Sequence, residues 1–267
     1  MKIVTVIQAR SGSTRLPGKI MLPLADAPLL VRMYERINRA TLSGTVVIAT
    51  TTSGKDDIIE TLCRENNFLF YRGDEFDLLD RHYKTGIEFK ADVIVKIPSD
   101  CPLIDSFVID RVIKYFLSNR NKFDFVSNLH PASYPDGNDV EVIPMNILEV
   151  AQKEAKIQME REHTTPFIWD NPSRFRIGNV KWETRLDYSM SHRFTIDYPE
   201  DYEFIKRVYD ELYPVNSRFG LREIITLLKK KPEIKKINEK YCGVNWYRNH
   251  LKELKTITKE QTKSIDN

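Results

Sequence analysis

Over its first 120 residues the chain alternates short apolar runs with segments of helical periodicity, and this alternation narrows the possible folds more than any other feature. KIVTVI at 2–7, TVVIAT at 45–50, FLFY at 68–71 and DVIVKI at 92–97 read as buried strands, because short runs that are apolar on both faces suit a sheet covered on both sides. Between them, residues 29–40, 56–66, 77–90 and 105–119 carry apolar residues at helical spacing. The second of these segments opens with Asp56 and Asp57, where the helix dipole favours negative charge. Strand and helix in turn predict βαβ units, a mostly parallel sheet, and ligands beyond the carboxyl ends of the strands. After residue 123 the pattern loosens. Strands are expected at 123–127, 139–143, 175–180 and 194–196, helices at 148–162 and 199–212, and a turn at Pro135-Asp136-Gly137. Residues 217–255 read as further helices, with Leu221, Ile224, Ile225 and Leu228 as an apolar stripe and Pro232 as a stop, followed by about ten frayed residues.

Composition excludes several classes. In 267 residues, 41% hydrophobic and 30% charged with a net charge of +3 fit a soluble globular chain and argue against disorder. No apolar run approaches the ~20 residues of a membrane-spanning helix, and MKIVTVIQAR does not read as a secretory leader, since Gln8 and Arg10 break its apolar stretch. Cys63, Cys101 and Cys242 form no CxxC pair, which predicts a reducing, cytoplasmic setting. Residues 229–267 hold eleven Lys or Arg against five Asp or Glu. They read as a solvated basic end, and no nucleic-acid reader motif accompanies them.

The segment after the first strand, Ala9-Arg10-Ser11-Gly12-Ser13-Thr14-Arg15-Leu16-Pro17-Gly18-Lys19, combines two glycines with three cations. Glycine lets backbone N–H groups approach an anion and the cations neutralise it, which is what a polyphosphate needs. Neither the Walker A loop nor the GxGxxG pattern is present. Asp100 follows DVIVKI, and Asp197 follows the apolar stretch at 194–196. Two carboxylates past two strands suit Mg²⁺, a hard ion held by few carboxylates plus phosphate oxygens and water. Asp105 reads instead as a helix N-cap.

QARSGSTRLPGK resembles the signature of nucleotidyltransferases with a glycosyltransferase-A-like fold. It is most similar to the CTP-using branch: the spore-coat-polysaccharide type cytidylyltransferases, related to KDO and acylneuraminate cytidylyltransferases. The likeness continues in order through ATTTSGKDD (49–57), RGDEFDLLDRHY (72–83), SDCPLID (99–105), YPDGNDVEV (134–142), EREHTTPF (160–167) and TIDYPEDYEFI (195–205). The resemblance implies a Rossmann-like α/β sandwich with a mostly parallel mixed sheet. It divides the chain into a nucleotidyltransferase domain at 1–216, with an acceptor-binding and dimerisation segment at 130–195, and a helical extension at 217–267.

The same resemblance implies a cytidylyltransferase that moves CMP from CTP to an acidic sugar or sugar-like acceptor, releasing pyrophosphate, in surface glycan biosynthesis. It assigns catalysis to Lys19, Arg10, Asp100 and Asp197, with Mg²⁺ on the two aspartates. Nucleotide contacts fall to Ala9, Arg10, Ser11, Gly12, Arg15, Lys19, Gly73, Arg81 and Ser99. Acceptor contacts fall to Tyr134, Asp136, Asp139, Arg161 and His163. Arg161 suits a carboxylate or phosphate in bidentate fashion, and His163 suits a hydrogen bond to the acceptor or a base role. His192 and Arg193 also stand close to the Asp197 stretch. A homodimer is expected, since Phe167, Ile168 and Trp169 exceed what one sheet needs. Two other readings compete. A glycosyltransferase of the related fold is disfavoured because Ser99-Asp100-Cys101 replaces the DxD pair. A nucleotide-binding regulator without catalysis is disfavoured by the joint presence of Lys19, Asp100 and Asp197.

Overall fold

The four apolar runs of the first half form the parallel half of one sheet. The computed structural model describes residues 1–264. Its strands are β1 (Ile3–Gln8), a small hairpin of β2 (Pro23–Leu24) and β3 (Ala27–Pro28), β4 (Thr45–Thr51), β5 (Leu69–Gly73), β6 (Val93–Pro98), β7 (Phe125–Ser127), β8 (Glu141–Pro144) and β9 (Ile177–Asn179). Seven of them make a mixed sheet in the order β5-β4-β1-β6-β8-β7-β9. β5, β4, β1 and β6 run parallel, and β8 runs antiparallel to β6 and β7.

Helices cover both faces, as runs without polar alternation require. They are α1 (Leu29–Asn38), α2 (Asp57–Glu65), α3 (Leu78–Glu88), α4 (Ser106–Ser118), α5 (Met145–Glu154), α6 (Gln158–His163), α7 (Pro166–Trp169), α8 (Pro199–Leu212), α9 (Leu221–Lys230) and α10 (Pro232–Lys236). On one face Ile7, Ile48 and Val95 pack with α1, α2, α4, α8 and α9. On the other, Val4, Val6, Val47 and Ile94 pack with α3, α5, α6 and α7. The period of two along each strand sends neighbouring residues to opposite cores.

Two expected elements differ. Residues 148–162 are not one helix: α5 ends at Glu154 and α6 begins at Gln158. The Arg161 guanidinium caps the break, donating from Nη1 to the carbonyls of Gln152 (3.0 Å) and Ala155 (3.1 Å). Residues 194–196 are not a strand of the sheet. They lie extended along the Asp100 loop instead, with Ile196 N donating to Asp100 O at 2.9 Å and Phe194 N to Asp136 O at 2.7 Å.

The C-terminal region is helical only in part. α9 buries Leu221, Ile224, Leu227 and Leu228, with Ile225 half-buried, and Pro232 starts α10 just after the helix it was expected to stop. The chain then crosses the sheet's carboxyl end to the other face, where Leu254 and Ile257 join the second core. Burying a side chain of this size contributes roughly 1.5–3 kcal/mol. Asp170 clamps the crossing by accepting from Lys255 N (2.8 Å), Thr256 N (2.7 Å) and Thr256 Oγ1 (2.7 Å). Residues 256–264 therefore pack where fraying was expected; Lys263 N donates to Gly243 O at 2.7 Å. The remaining three residues of that expected end lie outside the described residues.

Candidate active site

β1 stands between β4 on one side and β6 on the other. Chain connectivity reverses direction there, so the carboxyl ends of β1 and β6 bound a crevice. A cavity of about 840 Å³ opens at this point, lined by the loop after β1, the end of β6, the 128–139 segment and residues 243–250. That volume suits a ligand of nucleotide size.

The loop after β1 is anchored at its start and turns back at its end. Ala9 N donates to Ala49 O at 3.0 Å, and Ser11 donates to Asp56 Oδ1 from N (2.7 Å) and Oγ (2.6 Å). Asp56 is buried and also accepts from Thr51. Gly18 turns the chain at φ 68°, a left-handed value that suits glycine. Past this turn Lys19 reaches inward. Its Nζ donates to Ile196 O (2.5 Å) and Asp197 Oδ1 (3.0 Å) and lies 4.0 Å from Asp100 Oδ2. Arg15 Nη2 pairs with the same Asp197 oxygen at 2.9 Å, its guanidinium over the Tyr198 ring. Arg10 is exposed and lines the cavity with no ion pair among the described residues.

Asp197 is held by three cations. Burial raises its pKa, but Lys19, Arg15 and Arg193 together outweigh burial and hold the carboxyl below its ordinary value. Thr195 Oγ1 and Ile196 N both donate to Asp100 O, at 2.9 Å each, so the two aspartate-bearing segments are bonded to one another. Arg193 joins this wall from beneath. It is buried and pairs with Asp136 (3.3 Å), Asp197 (3.2 Å) and Asp201 (2.9 Å), donating also to Val244 O at 2.7 Å. Asp201 is fully buried and accepts from Asp197 N and Tyr198 N at the start of α8.

On the opposite flank Arg81 is buried, donates from Nη1 to Asp74 O (3.1 Å) and leaves Nε without a partner. Burial draws its pKa down to about 10, and nearby Arg10 adds to the effect. Gln8 and Ser99 line the same cavity, and Gln8 Oε1 is likewise unpartnered. Gly73 does not line it. A Cβ there would meet Arg81 Cγ at 3.0 Å, so the glycine makes room for the Arg81 stem.

The expected acceptor residues divide. Tyr134, Asp136, Asp139 and His163 line the cavity. Arg161 does not: its fork closes on Asp77, the N-cap of α3, with Nε at 2.6 Å and Nη2 at 2.5 Å, and Nη1 caps α5. His163 stacks on Trp246 with ring centroids 3.8 Å apart. Burial, with Lys96, His250 and Arg10 adding, draws its imidazole down to about 3 and keeps the ring neutral. His192 stacks on Tyr188 and stays outside the cavity. Residues not foreseen complete the lining: Lys96 with Glu141, His130, Trp169, and the Asn245–Tyr247 stretch. The aromatic cluster in VNWYRNH, set in a basic region, was the available signal. Of Phe167, Ile168 and Trp169, the basis for the homodimer expectation, Ile168 and Trp169 are buried within the chain and Phe167 is half-buried, with Trp169 packed on Trp246 and Tyr247.

Asp139 accepts only from Gly137 N at 3.3 Å and has no cation partner. Burial, then repulsion from Asp100 and Glu141, raises its carboxyl to about 7. An acid whose folded pKa lies above its unfolded value costs stability as pH rises past the unfolded pKa, with the full penalty above about 7. Asp139→Asn should therefore raise Tm at pH 8 and leave it unchanged at pH 3, as thermal melts at both pH values would show.

No group of three or more His, Cys, Asp or Glu side chains among the described residues converges as a ready metal cage. The donor set nonetheless fits Mg²⁺. Asp100 is partly exposed with no ion pair nearer than Lys19, and burial first, then the neighbouring carboxylates, raises the carboxyls of Asp136 and Asp139. A site that takes two carboxylates and the oxygens of a phosphate suits that ion.

The family model described as cytidylyltransferase matches residues 4–237. The chain is 32% identical over 236 residues to the spore coat polysaccharide biosynthesis protein SpsF of Bacillus subtilis, covering 86% of this chain and 95% of that one. A cytidylyltransferase structure from Leptospira borgpetersenii superposes with a TM-score of 0.83 at 35% identity, covering 88% of this chain and 96% of the other. A CMP:2-keto-3-deoxy-manno-octonic acid synthetase complexed with CTP shares the fold, with a TM-score of 0.60 at 16% identity over 79% of this chain and 99% of that one.

Proposed function

This chain belongs to the cytidylyltransferase family, and from that premise we propose that it transfers CMP from CTP to a sugar-like acceptor in the biosynthesis of a surface glycan. One observation carries the reading. Lys19 and Arg15 converge on Asp197 beside Asp100, at the crevice between β1 and β6. CTP enters because the SpsF relative serves polysaccharide synthesis and the more distant synthetase binds CTP.

In this reading the triphosphate lies along the loop after β1, against Ala9, Gly12 and Ser99, with the nucleoside toward Arg81; Ser11, expected at the nucleotide, does not line the cavity and instead ties the loop to Asp56. An acceptor oxygen attacks the α-phosphorus and pyrophosphate departs in line. Lys19, Arg15 and Arg10 offset the charge of the reacting and departing phosphates, as electrostatic preorganisation requires. Mg²⁺, held by Asp100 and Asp197, would supply further charge neutralisation at the phosphates. With phosphates on Lys19 and Arg15, the Asp197 carboxylate would be free to help hold that ion. Asp139, the wall carboxylate without a cation partner, receives the acceptor's proton.

Residues 1–216 make up the nucleotidyltransferase domain, with residues 217–267 as its extension, of which Gly243–Tyr247, Asn249, His250, Glu260 and Gln261 line the cavity. Three free, buried cysteines agree with a cytoplasmic setting, and no described helix is long and apolar enough to cross a membrane. The homodimer stays part of the reading, on a face other than Ile168 and Trp169; Phe76, Phe107 and Val215 are large apolar side chains left exposed.

The test is pyrophosphate release by the full chain with CTP, Mg²⁺ and a panel of sugar-like acceptors, the nucleotide product read by mass spectrometry. Release that needs CTP and an acceptor together, and that stops with EDTA and returns with Mg²⁺, is the expected result. Mg²⁺-dependent CTP binding with no release on any acceptor would favour the regulator reading instead.

A further inference from the structure

Asp56 stands where a helix-opening charge is expected, yet its side chain does not serve that helix. It occupies the N-cap of α2, from which an aspartate ordinarily accepts from the first-turn N–H groups of its own helix. Here the carboxylate makes no such bond. It is buried, and the donors it accepts from are all neutral: Ser11 N at 2.7 Å and Ser11 Oγ at 2.6 Å on Oδ1, and the Thr51 hydroxyl on Oδ2. A buried carboxylate without a cation is costly, and this one has the same sign as the phosphates the neighbouring loop is read to bind. Its bonds go into holding that loop.

Ser11 carries the hold to both ends of the loop. Its carbonyl accepts from Ser13 N at 2.9 Å and from Gly18 N at 3.1 Å. Gly18 is the left-handed turn beyond which Lys19 reaches inward to Asp197. The Ser11 hydroxyl also donates to Lys55 O at 3.0 Å. Between these ties, the N–H groups of Gly12, Thr14 and Arg15 donate to nothing in the described chain, and all three residues line the cavity. The turn that bears Asp56 is itself braced. Arg72 donates to Thr51 O at 2.8 Å and to Ser53 O at 2.9 Å, and pairs with Asp57 and Glu60.

We propose that Asp56 is a positioning residue for the polyphosphate, a role that rests on the nucleotidyl-transfer reading above. It touches no substrate atom. By fixing Ser11 it sets the loop so that the free N–H groups of Gly12, Thr14 and Arg15 face the two outer phosphates and Lys19 enters beneath them. A loop ordered before binding spares the ligand the entropy of ordering it. Successive free N–H groups on one loop form an anion cradle only while the loop keeps its curvature. The bonds to Asp56 and the closure from Ser11 O to Gly18 N maintain that curvature.

The experiment is calorimetric binding of MgCTP and of CMP to the full chain and to three variants, each checked by a thermal melt. CMP carries the nucleoside and the α-phosphate but lacks the outer phosphates. Asp56→Ala is expected to weaken MgCTP binding about tenfold or more while CMP affinity stays within about twofold. Asp56→Asn keeps an acceptor for Ser11 and is expected to retain most of the MgCTP affinity. Ser11→Ala loses the hydroxyl bonds and keeps its N–H, so a smaller loss of about threefold, again confined to MgCTP, is expected.

Unchanged MgCTP affinity in Asp56→Ala overturns the proposal, and so do equal losses for MgCTP and CMP, which a merely structural role would give. Should Asp56→Ala fail to fold, the same two outcomes in Ser11→Ala decide it. Tighter MgCTP binding by Asp56→Asn also overturns it, because the carboxylate would then act on the phosphates by its charge and not on the loop. Wild-type protein that fails to bind MgCTP would instead remove the nucleotidyl-transfer reading, so the two failures are distinguishable.

Discussion

Asp197→Asn and Asp100→Asn are each expected to lower turnover on the order of 10²-fold or more, equivalent to about 2.7 kcal/mol of transition-state stabilisation. In the proposed reading Asp100 offers a partly exposed carboxylate toward the phosphates, and Asp197 would be freed by the transfer of Lys19 and Arg15 to them. Each amide keeps the shape and loses the charge that a divalent ion requires. The measurement is kcat as a function of Mg²⁺ concentration. Near-wild-type turnover by either variant at limiting Mg²⁺ would remove that residue from the metal site.

The second large effect is on stability. Arg193→Met should cost about 3–5 kcal/mol, the penalty for stripping the partner from buried charges. Asp201 is fully buried and loses the Nε contact at 2.9 Å and the Nη2 contact at 3.1 Å. It keeps Asn238 Nδ2 at 2.9 Å and two backbone donors, which do not replace a guanidinium. Burial alone would lower the Arg193 pKa, but Asp136, Asp201 and Asp197 outweigh it and raise the group above its ordinary value, so it stays charged. Urea denaturation measures the loss directly. A loss under 1 kcal/mol would mean that the network contributes little to the fold.

What could be read ahead in the chain followed from local rules. α8 begins and ends where periodicity and a first-turn proline put it, at Pro199 and Leu212. The four parallel strands were legible because burial on both faces leaves no polar alternation to confuse the reading. Asp105 was legible as an N-cap and accepts from Phe107 N at 2.7 Å. The failures share another cause. Arg161 was assigned to the acceptor by the resemblance of its stretch, and a free fork would suit an anion, but its partner Asp77 lies 84 residues earlier. The 194–196 segment is apolar like a strand, yet its hydrogen bonds go to the Asp100 and Asp136 loops. The aromatic wall at 246–247 is contributed from beyond α10 and meets His163 and Trp169 only after the chain crosses the sheet. Pairings of that reach leave no period in a single sequence.

The shared grip of Lys19 and Arg15 on Asp197 sets a threshold for anything that would enter the phosphate end. The free enzyme already carries its own competitor for those two cations, fixed at full occupancy by the backbone. An incoming anion must win an exchange, and a single weak charge gains nothing by displacing a carboxylate that is already in place. A ligand with several charges along one chain can take both cations at once, the exchange that a single charge cannot complete. Orthophosphate and nucleoside monophosphates would thus be poor inhibitors at cellular levels, and the pocket would discriminate by the number of charges its ligand carries before it reads the base.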